Sequence, residues 1–90
     1  MAQFVQSGTP INLTGSGTVS KVAGTLLGFY VNSTTAGTII IGNGSTSAAT
    51  AVSGTITPAI GFHRFPAYLP SGCYATIGNT LNVTLMFAAG

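Results

Sequence analysis

The sequence predicts an all-β protein, a small antiparallel β-sandwich of jelly-roll-like form, on three observations. Thr, Val and Ile abound while helix formers are scarce: there is no Glu, and Lys21 and Arg64 are the only residues of their kinds. β-branched side chains favour the extended backbone. Thirteen glycines and four prolines are spread along the whole length, which divides the chain into short runs separated by turns. Apolar residues recur with period two, the spacing that turns one face of a strand to a core. The 90 residues have room for one domain. We assign residues 11–90 to that single β-sandwich domain and residues 1–10 to an N-terminal arm or edge strand.

Taken in order, residues 3–6 read as the edge strand, and Ser7 to Pro10 and Thr14 to Gly17 as turns. Residues 18–23 form a weak strand. Leu27, Phe29 and Val31 alternate with Leu26, Gly28 and Tyr30, a strand apolar on both faces and therefore central. Residues 32–37 are a polar turn before a strand over 38–41. That strand ends at Gly42, Asn43 and Gly44, which tolerate positive φ. Residues 51–57 and 73–77 are weaker strands. Residues 58–72 hold three of the four prolines. Pro66 and Pro70 argue against a central strand there, so the segment reads as a long connection crossing between two sheets. The clearest strand is 81–87. Leu81, Val83, Leu85 and Phe87 fall on a core face, and Asn82 and Thr84 on the other. The spacings of 26–31 with 38–41, and of 73–77 with 81–87, suit two hairpins. The expected total is seven or eight short strands, with no fixed repeat.

The chain has no Asp and no Glu; its cations are Lys21 and Arg64, with one histidine, His63. This inventory argues against an enzyme, because no carboxylate can act as acid or base or orient a histidine. Two cations make no patch for nucleic acid. The longest apolar run, residues 26–31, is far below the roughly 20 that cross a membrane. No signal peptide is visible in the first residues, and the expected site of synthesis is a cytoplasm. Cys73 is the one cysteine, so no disulfide forms within the chain. A surface kept wet by hydroxyls and amides carries little charge to hold copies apart. We therefore expect an assembly rather than an isolated monomer.

Candidate chemistry is sparse. His63 and Cys73 could form a nucleophilic pair only without the third group that holds an imidazole. Structural zinc needs four ligands, which one His and one Cys do not supply; three copies of His63 around a trimer axis could hold a zinc with an open position, but no metal and no cofactor is expected. Gly15 to Gly17 and Gly42 to Gly44 lack the residues that make a phosphate loop. Asn12, Asn32, Asn43 and Asn82 each open an Asn-x-Ser/Thr tripeptide, a chance match in so Thr-rich a chain. Thr55 to Thr57 is a single Thr-x-Thr, too little for an ice-binding array. Phe62, His63, Arg64, Phe65 and Tyr68 are the one concentration of aromatics with a cation. They read either as a core plug beneath the connection or as an anchor in a partner surface. Arg64 and Lys21, with no acid to pair with, are expected to face water, backbone carbonyls or a partner's carboxylate. The candidate partner contacts are thus Lys21, Phe62, His63, Arg64, Phe65 and Tyr68.

The runs GTLLGFYVNSTTAGTIIIGNGSTSA (24–48) and GTITPAIGFHRFPAYLPSGCYATIGNTLNVTLMF (54–87) resemble a set of small virion proteins of tailed bacteriophages. The shared pattern here is Gly28, Val31 and Asn32, then Gly37, Thr38, Ile39 and Ile41, then Gly54 and Thr55. It closes with Gly72, Ile77 to Thr80, Val83 and Thr84. The chain departs from many such sequences at Asn43, where an acidic residue often stands. The resemblance implies a capsid decoration, or cement, protein on the head exterior, often a trimer. Its implied partners are the major capsid protein and other copies of itself, with no nucleic acid, membrane or small-molecule substrate, and its implied place is the virion. A tail, neck or fibre component that binds a receptor or carbohydrate is the alternative.

Overall fold

A computed structural model describes residues 9–90. Its six strands, in chain order, are β1 (Thr9–Leu13), β2 (Gly17–Ser20), β3 (Gly24–Asn43), β4 (Thr50–Ala51), β5 (Gly61–Leu69) and β6 (Cys73–Ala89). All pair antiparallel in one sheet. The all-β class holds, but the count of short strands does not. Residues 26–31 and 38–41 are two parts of the 20-residue β3, and 73–77 and 81–87 are two parts of the 17-residue β6. Neither expected hairpin forms; β3 pairs instead with β6 from Gly24↔Ala89 to Asn43↔Cys73.

Both long strands are folded double. A straight strand of 20 residues would span about 65 Å, whereas the longest dimension of the molecule is 44 Å. Gly24, at the start of β3, pairs with Leu69, and Asn43, at its end, pairs with Cys73. Only residues 70–72 separate Leu69 from Cys73, so the two ends of β3 lie within about 25 Å. The register shifts between Val31 and Ser33 and again between Thr35 and Ala36, where two residues oppose Thr80. Ala36 and Asn79 take φ of 53° and 56°. These polar segments were expected to be turns, and they do turn the chain. They bend a continuous ribbon through bulges rather than reversing it. Local bonds fix the bend: Asn79 Nδ2 donates to the Ala36 carbonyl at 2.8 Å, and the Gly37 amide to Thr34 Oγ1 at 3.0 Å.

The bend makes two wings. In the first the order is β1-β6-β3-β5; in the second, β2-β6-β3-β4, extended by an isolated bridge of Ile39 to Ile56. Leu26, Phe29, Val31, Leu69, Val83, Leu85 and Phe87 from the first wing are buried in one cluster with Val19, Ile39, Ile41, Cys73 and Ala75 from the second. The wings thus face each other as two layers, and the fold is sandwich-like. No polar or charged side chain is buried among the described residues. The core face expected for Leu81, Val83, Leu85 and Phe87 is buried as read.

Three other expectations change. Leu26, not Leu27, enters the core with Phe29 and Val31, because a bulge between Leu26 and Gly28 sets one extra residue into β3. Thr9 and Pro10, assigned to the arm, belong to β1, which pairs with β6; the strand expected over residues 3–6 lies outside the described residues. Residues 61–69, read as part of a connection, form β5. Among the described residues it pairs only with β3, and Phe65 and Pro66 lie across the register shift opposite Leu27. Pro66 is tolerated because β5 is an edge strand, interrupted where the ring cannot donate.

Candidate functional face

β5 sorts the aromatic cluster by alternation. His63, Phe65, Ala67 and Leu69 turn toward the core side, while Phe62, Arg64, Pro66 and Tyr68 are exposed. The cluster is therefore neither wholly a plug nor wholly an anchor. Phe65 packs against the core. The half-buried His63 stacks on Phe29, with ring centroids 5.4 Å apart. Its Nε2 lies 2.7 Å from the Ala59 carbonyl. A carbonyl only accepts, so Nε2 carries the proton and donates. Lys21 is exposed in the turn between β2 and β3, beside the Gly72 backbone, and is not part of the β5 row.

His63 and Cys73 are not brought together. Cys73 opens β6 between Asn43 and Ser20, fully buried, and desolvation pushes its thiol up to about 11. A thiol held neutral in this way is a poor nucleophile. Cys73 is expected to react with a chromogenic disulfide reagent only as fast as the protein unfolds. The unfolded thiol ionises near 9.0 and the folded one near 11. Its contribution to stability is thus whole below pH 9 and is lost as pH rises from 9 through 11. Melting curves at pH 8 and pH 10 should show a larger drop for the wild type than for Cys73→Ala; equal drops would contradict this burial.

The outward side of the first wing carries a row of which sequence reading singles out only Phe62 as a contact. Phe62 on β5 pairs with Tyr30 on β3, Tyr30 with Thr84 on β6, and Thr84 with Asn12 on β1. One residue from each of four strands thus spans about 14 Å across the sheet. Tyr30 is 45% exposed and Phe62 53%, so both side chains are open to solvent. Gly28 makes room for the Phe62 ring, whose Cζ would stand 2.9 Å from a Cβ at that position. The bulge at Asn32 brings its side chain beside Thr84. Asn12 Nδ2 donates to Asn82 Oδ1 at 2.8 Å and to Thr84 Oγ1 at 3.2 Å; Asn32 Nδ2 donates to the same two oxygens at 3.2 and 3.0 Å. Three of the four tripeptide asparagines meet in this network. The available signal was the outward phase of Asn82 and Thr84; the bulge that adds Asn32 has no such period.

Arg64 shares the outward side of β5 with Phe62, two residues away and about 7 Å along the strand. Tyr68 follows, 60% exposed. Comparison of the chain with protein-family models, curated proteins and solved structures gave no match.

Proposed function

We propose that the chain is a non-catalytic structural protein of a tailed-phage virion, a decoration protein that binds the head exterior as a symmetric oligomer, most simply a trimer. The observation that carries this reading is the surface itself. Outside the Tyr30–Phe62 pair, Val22, Val52, Ile60 and Tyr68 are large, apolar and exposed on a chain with two cations and no acid. Exposed apolar side chains of this size are available for contact with other proteins. With so few charges, apolar and backbone contacts supply the binding rather than ionic steering. Among the described residues the edges of β1, β2 and β5 are open and add unpaired backbone groups for neighbours. The role asks for no chemistry, which suits the buried thiol of Cys73 and the engaged imidazole of His63.

The test adds purified protein to shells that lack it, from the phage whose genome encodes it. Saturable binding, a raised shell melting temperature and an oligomer in sedimentation are expected. A monodisperse monomer without affinity for the shells would overturn the proposal.

A further inference from the structure

The first wing's outward row has the makings of a ligand site that shell binding does not require. Two exposed aromatic residues, Tyr30 and Phe62, lie side by side on neighbouring strands. Such rings supply large, stiff contact area at low entropic cost. Next to Tyr30 the four hydrogen bonds of the network use only the acceptor side of Asn82 and Thr84 and the donor side of Asn12 and Asn32. Among the described residues, the Asn82 amide hydrogens, the Thr84 hydroxyl hydrogen and the Asn12 and Asn32 carbonyl oxygens stay free for an outside partner. These donors and acceptors are fixed in place before any ligand arrives, which lowers the cost of binding.

This set has a specific chemical complement. A pyranose ring has one face of C–H groups, which stacks on an aromatic ring. Its rim carries hydroxyls that donate and accept at once, as the mixed amide and hydroxyl set requires. An apolar protein surface would cover Tyr30 and Phe62 and leave the amides unpaired, at a cost. Charge narrows the ligand further. Arg64 is exposed on the same side of β5 as Phe62, and the chain contains no acidic side chain to pair with it. A second copy of the chain therefore brings no such partner, and a neutral sugar leaves the guanidinium unanswered. A carboxylate on the ligand would meet it as a charge-assisted pair.

We propose that this row is a binding site for an acidic polysaccharide, with sugar rings over Tyr30 and Phe62, hydroxyls on the Asn12–Asn32–Asn82–Thr84 network and a carboxylate at Arg64. The site does not depend on the virion reading; a head-bound copy would keep it outward by meeting the shell through another surface.

The test titrates the full chain with oligogalacturonate and with maltohexaose, and screens it on an array of acidic and neutral pyranose oligosaccharides. Backbone amide shifts report the site. An acidic oligosaccharide is expected to bind, with shifts centred on Tyr30, Phe62 and Asn82. Tyr30→Ala, at an exposed position, should weaken it at least about tenfold with melting nearly unchanged. Asn82→Ala tests the network independently. Arg64→Gln should remove both the preference for acidic over neutral sugar and the weakening by salt. No binding anywhere on the array, binding indifferent to Tyr30→Ala and Asn82→Ala, or equal affinity for the neutral probe would each overturn the proposal. So would shell binding that is lost in Tyr30→Ala, which makes the row a protein contact. Shell binding in the wild type is scored separately, so the two proposals fail on different measurements.

Discussion

Phe29→Ala should lower the free energy of unfolding by about 4 kcal/mol, seen as a fall of roughly 20 °C in the melting temperature by circular dichroism. Phe29 is the largest of the fully buried side chains. It stands on β3 in the first wing, with His63 stacked against it. Its removal leaves a cavity and exposes one face of the imidazole. The two layers meet across this cluster, and backbone pairing prevents the sheet from collapsing to fill the gap. A 90-residue domain has a total stability on the order of 5–13 kcal/mol, so the loss is a large share of it. Phe65→Ala, at the half-buried position two residues along β5 from His63, should cost clearly less. A loss below about 1 kcal/mol for Phe29→Ala would mean that the wings do not close on this ring.

Gly37→Ala should cost about 3 kcal/mol, although the change adds one methyl group. The new Cβ would stand 2.5 Å from the Thr80 carbonyl oxygen, 2.7 Å from Leu81 Cβ and 2.8 Å from Thr34 Oγ1. The first two belong to the paired strand β6, and Thr34 is held by its bond from the Gly37 amide. None is the free end of a flexible side chain, so the bend itself must open. Gly54→Ala is the matched control, with nothing within 4 Å of the added carbon. It should be neutral or stabilising by about 0.5 kcal/mol through the unfolded state. Urea titrations of the two variants separate the cases. Equal midpoints would contradict a tightly bent ribbon.

The sequence made the backbone class legible and left its continuity obscure. The period-two pattern of Leu81, Val83, Leu85 and Phe87 needs only local alternation to be read, and all four are buried. Asn32 to Gly37 and Gly78 to Thr80 have the residues of reverse turns. The same residues also suit a bulged bend, because Ala36 and Asn79 need only positive φ. What decides between the two is which strand lies alongside, and β3 and β6 meet only through a long-range pairing. Simple alternation groups Leu27 with Phe29 and Val31, whereas Leu26 shares their core face, since one bulge inverts the phase of everything before it. Pro66 was weighed correctly against a central strand, but an edge strand also accommodates it. At the candidate face, Phe62, Arg64 and Tyr68 were found from composition. Tyr30 and the asparagine network were not, because their partners come from four strands that are remote in sequence.

Ordering this ribbon has a cost in time. β6, the last of the six strands, is the neighbour of β1, β2 and β3 at once, and Thr9 finds its partner only when Phe87 exists. No adjacent pair of long strands can zip locally, so closure of long loops precedes any reward in pairing. During synthesis, at about 5–20 residues per second, the growing polypeptide has no complete layer to adopt on the ribosome. A message truncated within the codons of β6 would yield a product without its organising strand, exposed to chaperones and proteases from the moment of release.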